Sequence, residues 1–203
     1  MIESSIDSWQ RDRIQMFPNK RGNAHRSADK SERVKTHIPL LRFVMSLVRD
    51  RPISTAIEHG MGIGSTPFLH GLEGISRIFS LENDPRWRSC SSCGKDGKYH
   101  EISGWPGEDP VSSIPDLDPA STLALVDGPA DERIRFLISC LSHGIEIVVE
   151  HDAETLTQQE VDARREAASS AGYLCYQWIN DNPESILYSR DRMCRDGLVI
   201  FGP

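Results

Sequence analysis

The segment Glu58-His59-Gly60-Met61-Gly62-Ile63-Gly64-Ser65-Thr66 places three glycines in alternation directly behind a short apolar run. Glycines so spaced let a chain turn sharply and bring its backbone against a ligand with no Cβ in the way. The N–H groups at the start of a following helix would face that ligand, and Ser65 or Thr66 can cap the helix. A dinucleotide fingerprint, Gly-x-Gly-x-x-Gly, would need its third glycine at position 65. That position is Ser, and the third glycine is Gly64. The next apolar run, Ile78-Phe79-Ser80-Leu81, ends in Glu82-Asn83-Asp84, which puts a carboxylate 18 residues beyond Gly64. A carboxylate at that strand end can accept both hydroxyls of a ribose.

Such residues act together only if they lie at the carboxyl ends of neighbouring strands, and the apolar pattern predicts that they do. Helical spacing over Thr36–Arg49 puts Leu41, Met45 and Val48 on one face, with Pro39 in the first turn and Arg51-Pro52 as the stop. Strands are predicted at Ile53–Ile57, Ile75–Leu81, Tyr99–Ile102, Thr122–Val126, Ile145–Val149, Tyr173–Ile179, Ser185–Tyr188 and Leu198–Phe201. Helices are predicted at Ser65–Leu72, Ala130–Leu141, with Ile134, Leu137 and Leu141 inward, and Leu156–Ala171. Repeated β-α-β units with buried strands mean an α/β fold: a three-layer, Rossmann-like, mostly parallel sheet. The spacer Asp191–Gly197 is too short for a crossover helix, so the chain should close on an antiparallel C-terminal hairpin strand. In such sheets ligands bind beyond the carboxyl strand ends at the topological switch point. The relevant segments are then Glu58–Gly64, Glu82–Asp84, Ser103–Trp105, Asp127–Pro129 and Glu150–Asp152.

The 203 residues suffice for one α/β domain, expected over residues 31–203 behind a polar N-terminal arm of residues 1–30 with a short helix near Ile6–Arg13. The net charge of −7 argues against duplex nucleic acid as a partner. No apolar run approaches the roughly 20 residues of a membrane span, and Met1–Ser5 lacks the basic start and apolar stretch of a signal peptide, so a cytoplasmic protein away from membranes is expected. Five cysteines, an odd count, are expected to be reduced. Cys90-x-x-Cys93 with His100 offers three zinc ligands where a structural zinc takes four, which leaves two unliganded thiols as the simpler expectation.

The two motifs, with Ser80-Leu81-Glu82-Asn83-Asp84-Pro85-Arg86-Trp87 and Leu125-Val126-Asp127-Gly128-Pro129, resemble a subgroup of the class I S-adenosylmethionine (SAM)-dependent methyltransferases. That subgroup carries Glu-x-Gly-x-Gly-x-Ser-Thr, Ser-x-Glu-x-Asp-x-x-Trp and Val-Asp-Gly-Pro words. The resemblance spans residues 53–202 in organisation but only three short motifs specifically. It implies that Gly60, Gly62, Gly64 and Ser65 form the turn against SAM, that Glu58 sits near its amino group, and that Glu82 holds the ribose. It places His100–Trp105 near the adenine, with Trp105 over one face.

Methyl transfer would then require an aligned acceptor and a means of removing or masking its proton. Asp127, Glu150, His151 and Asp152 are the candidates, with His59 opposite. Three readings stay open. In catechol-type O-methyltransferases acidic residues at these strand ends bind Mg2+, and Asp127 with Asp152 or Glu150 would do so here. Alternatively His151 serves as general base, oriented by a carboxylate. Alternatively Asp127-Gly128-Pro129 is only a turn and Asp152 caps the next helix. The expected function is O-methylation of a small-molecule or saccharide-like acceptor, with homo-oligomerisation left open. A catalytically silent SAM-fold binding protein, or a related α/β enzyme using another nucleotide, are the alternatives.

Overall fold

The computed structural model describes residues 38–61, 65–83, 99–103, 107–153, 156–179 and 196–202. The N-terminal arm with its expected helix, Gly62, Gly64, Cys90, Cys93, Trp105 and the expected strand Ser185–Tyr188 lie outside these residues.

In chain order the elements are α1 (Ile38–Leu47), β1 (Thr55–His59), α2 (Ser65–His70), β2 (Arg77–Glu82), β3 (Tyr99–Ser103), β4 (Thr122–Val126), α3 (Ala130–Ser142), β5 (Ile147–Glu150), α4 (Gln158–Ser170), β6 (Leu174–Ile179) and β7 (Asp196–Phe201). Two 3-10 turns, Pro110–Ser113 and Pro119–Ser121, lead into β4. The sheet runs β3-β2-β1-β4-β5-β7-β6. All pairings through β5 are parallel, and β7 runs antiparallel between β5 and β6. The expected antiparallel C-terminal strand is therefore present as β7, here paired with β5 and β6, while its expected hairpin partner Ser185–Tyr188 lies outside the described residues.

Strand alternation divides the core in two. Ala56, Ile78, Leu123, Leu125, Ile147 and Val149 face the layer of α1 and α2, where Leu40, Leu41, Val44 and Leu69 meet them. Ile57, Phe79, Ala124, Val126 and Val148 face Phe136, Leu137 and Cys140 of α3 and Ala168 of α4. Both faces are covered, so β1, β4 and β5 are buried along their whole length, polar Glu58, His59 and Glu150 included. Each fully buried Leu or Ile contributes roughly 1.5–3 kcal/mol.

Two local expectations change. The inner face of α3 is Arg133, Phe136, Leu137, Cys140 and Leu141, whereas Ile134 is only half-buried. The helix after β5 is capped by Thr157 in a reciprocal capping box with Glu160, not by Asp152. Among the described residues, no helix is long and apolar enough to cross a membrane.

Candidate functional site

The chain winds from β1 to β2 on one side of the sheet and reaches β4 on the other, so the crevice between the ends of β1 and β4 is the switch point. There the two exits touch. Gly60 has φ +90°, and a Cβ on it would lie 2.8 Å from the Asp127 carbonyl oxygen and 2.8 Å from Gly128 Cα. Only glycine combines that backbone with that approach. Asp127 N–H donates to the His59 carbonyl at 2.8 Å, and Gly128 N–H donates to His59 Nδ1 at 3.2 Å.

His59 itself is a core residue. It stacks on Phe136 at 4.5 Å between ring centroids. Burial, reinforced by the Arg133 charge, pushes its pKa down to about 3. It stays neutral at ordinary pH, with Nδ1 the acceptor.

The described start of the glycine segment, Gly60-Met61, is held by β2 and packs against the exit of β4. Met61 N–H donates to Glu82 Oε2 at 3.0 Å, which holds the β2-end carboxylate against the turn. Glu82 and the turn are thus brought together as the sequence predicts. Glu58, expected beside a cofactor amino group, is instead fully buried. Its carboxylate accepts from Ser65 Oγ at 2.5 Å, from Thr66 Oγ1 at 2.8 and 2.9 Å, and from Ser80 Oγ at 2.9 Å. Ser80 is its partner in register on β2. Ser65, also fully buried, meets Glu58 rather than the crevice. Burial drives the Glu58 carboxyl up to about 7 against the opposing pull of the three hydroxyls. Glu58 therefore ties β1, β2 and the first turn of α2 together beneath the glycine turn.

Across the switch point, Asp127, His151 and Asp152 converge. His151 Nδ1 lies 3.0 Å from Asp127 Oδ1 and 3.0 Å from Asp152 Oδ1. The imidazole is buried while the two carboxylates retain 15% and 21% side-chain exposure, so the cluster is open on its acidic side. Asp152 has φ +58°, a left-handed backbone costing of order 1–3 kcal/mol for a non-glycine residue. Glu150 does not join the cluster. Strand alternation turns it to the opposite face, where it is fully buried and accepts from Arg164 Nε of α4 at 2.6 Å.

Sequence reasoning missed Arg133. It is 8% exposed. Its Nε donates to the Gly128 carbonyl at 2.7 Å and its Nη1 to the His151 carbonyl at 2.9 Å. Its Nη2 stands 3.7 Å from a carboxylate oxygen of Asp127 and 3.7 Å from one of Asp152. The signal that could have found it is helical spacing: Arg133 leads the series Phe136, Leu137, Cys140 and Leu141 on the buried face of α3.

The three-layer sheet, its antiparallel penultimate position and the turn at the β1/β4 switch point define the fold of the class I SAM-dependent methyltransferases. No family model matches the chain, and no curated protein matches it. Solved structures do. The O-methyltransferase from Bacillus cereus, crystallised with S-adenosylhomocysteine (SAH), is similar with a TM-score of 0.58 and 11% identity, over 100% of both chains. The O-methyltransferase TomG from Streptomyces achromogenes, involved in tomaymycin synthesis and crystallised with SAM, is similar with a TM-score of 0.57 and 14% identity, over 98% of this chain and 96% of that one. A precorrin 8w decarboxylase from Methanobacterium thermoautotrophicum is similar with a TM-score of 0.54 and 13% identity, over 82% of this chain and 90% of that one. At these identities the likeness shows the fold.

Proposed function

We propose that this chain is a SAM-dependent O-methyltransferase acting on a small hydroxylated acceptor, phenolic or saccharide-like. The observation that carries the reading is the contact between the glycine turn and the Asp127–His151–Asp152 cluster through Gly60 and Asp127 at the switch point. One crevice thereby offers a nucleoside cradle on its β1/β2 side and a proton-accepting group on its β4/β5 side. Similarity in fold to structures holding SAH and SAM supports the choice of cofactor.

Gly60, Gly62 and Gly64 would give the cofactor a backbone without side chains to approach, and Glu82 would accept its ribose hydroxyls. Trp105 is assigned to the adenine on the resemblance alone. Glu58 and Ser65 serve indirectly, by holding the turn. When bound, SAM supplies a methyl group already activated by its sulfonium. The protein must then orient a hydroxyl and take its proton. With Nδ1 donating to Asp127 or Asp152, the imidazole of His151 keeps the tautomer in which Nε2 accepts, and the carboxylates stabilise the imidazolium once the proton arrives. Asp127 and Asp152 also present acceptor oxygens at the open edge, suited to a second hydroxyl of a catechol or sugar. The Arg133 guanidinium beside both carboxylates favours this reading over Mg2+ between them.

Incubation with methyl-labelled SAM and a panel of phenols and monosaccharides tests the proposal. Label should pass to a hydroxylated acceptor, and His151→Gln should reduce transfer at least 100-fold while SAH still binds. Tight SAH binding with no transfer to any acceptor class would favour a silent binding protein. Binding of NAD+ in place of SAM would sink the reading.

A further inference from the structure

Arg133 is a charged side chain inside the apolar face of α3, a placement that is costly unless its donors are used. Two of its contacts go to backbone carbonyls in different segments, Gly128 just beyond β4 and His151 just beyond β5. One guanidinium thus spans the exits of two adjacent strands from a third element. The same group stands between two carboxylates that converge on one imidazole. Asp127 and Asp152 carry two negative charges within a space where their own ligand-type oxygens and the His151 nitrogen all lie within 4.8 Å of one another. Like charges so close repel unless a cation or a proton offsets them, and the Arg133 guanidinium is the cation at hand. The carbonyl of His151, held by Nη1, immediately precedes the left-handed Asp152, so the contact also fixes the strained turn that aims the Asp152 carboxylate.

We propose that Arg133 is a positioning residue that takes the place of a divalent cation: it holds Asp127, His151 and Asp152 together by spanning the Gly128 and His151 carbonyls, and its charge makes the site metal-independent. The proposal rests on the assignment of these three residues to the reaction, but its geometry does not depend on the cofactor. A lysine at position 133 would restore the charge but not the fork that reaches two carbonyls at once. Charge and geometry are therefore separable by substitution.

The test uses Mn2+ as a paramagnetic probe on the full chain, with ring NMR of His151 assigned by its loss in His151→Gln. Wild type should bind no Mn2+ at millimolar concentration, keep its activity in chelator, and show one His151 tautomer protonated on Nδ1. Arg133→Gln should gain Mn2+ binding at least tenfold tighter than wild type, abolished again by adding Asp127→Asn. Arg133→Lys should remain without Mn2+ yet lose the single tautomer signature. SAH affinity should stay within about threefold of wild type in both variants. Mn2+ binding by the wild type itself, or a His151 signature unchanged in Arg133→Lys, would overturn the proposal. A residue that merely supported the fold would give neither the gain of metal binding nor its separation from the tautomer change. Failure of the wild type to bind SAH would count against the methyltransferase reading and leave both probes readable.

Discussion

Gly60 and Gly128 approach so closely that a Cβ on the first would lie 2.8 Å from Cα of the second. A Cβ on Gly128 would in turn run into the His59 ring, which accepts the Gly128 N–H. The β1 and β4 exits are packed backbone to backbone, and that contact sets the width of the crevice. Gly60→Ala adds both a clash with backbone atoms, which cannot rotate away, and a disfavoured φ. The expected cost is about 3 kcal/mol, combining overpacking and strain. Urea titration checks it, and Gly128→Ala should be destabilised to a similar degree. The unconfined Gly172, with nothing within 4 Å of its added Cβ, carries only the φ penalty.

Glu58 makes stability pH-dependent. Its folded pKa, about 7, lies above the ordinary carboxyl value of 4.5, so the native state binds the proton more tightly than the unfolded chain does. The stabilisation due to that proton is complete below about pH 4.5 and is lost as pH rises through 7. A shift of that size corresponds to roughly 3 kcal/mol between the two limits. Glu58→Gln, which cannot ionise, should therefore gain on wild type between pH 5 and pH 8. Denaturation at both pH values reads the difference directly; parallel pH profiles would contradict the role given to this carboxyl.

The Glu150–Arg164 pair lies on the other face of β5, directly before His151. Both side chains are essentially buried, at 0% and 3% exposure, and burial holds the Glu150 carboxyl above its ordinary pKa. Arg164→Met would strand a buried carboxylate and should cost about 3–5 kcal/mol near neutral pH. Because the stranded carboxyl can protonate, the loss should shrink as pH falls. Arg164→Met with Glu150→Gln should recover much of the loss. Thermal melts of the single and double variants, compared at pH 5 and pH 8, check both statements.

Much of this architecture was legible in the sequence, for identifiable reasons. Thr122–Val126 is a continuous apolar run, and β4 occupies those residues. Strand period and motif spacing coincide at Glu82, and its carboxylate accepts from Met61 N–H behind β1. Helical spacing puts Arg133 on the buried face of α3, but its partners, the carbonyls of residues 128 and 151, are distant in sequence and carry no such pattern. Its charge made Ile134 the natural choice for the inner face, one position off. The hydroxyl partners of Glu58 escape the sequence for a related reason. They come from the strand paired with it and the helix after it, and only the register Glu58 to Ser80 reveals that they converge. Glu150 and Asp127 look equivalent as strand-end acids, yet alternation sends Glu150 to Arg164 and leaves His151 and Asp152 to meet Asp127.

In the proposed function Glu82 and the turn together hold SAM, and calorimetric titration of the full chain with SAM, SAH and NAD+ tests this most directly. Wild type should bind SAM and SAH and not NAD+. Glu82→Ala should weaken SAH at least tenfold, since charged hydrogen bonds to two ribose hydroxyls are worth about 1.5–3 kcal/mol each. No binding of SAM or SAH by the wild type, or an affinity unchanged in Glu82→Ala, would contradict the account.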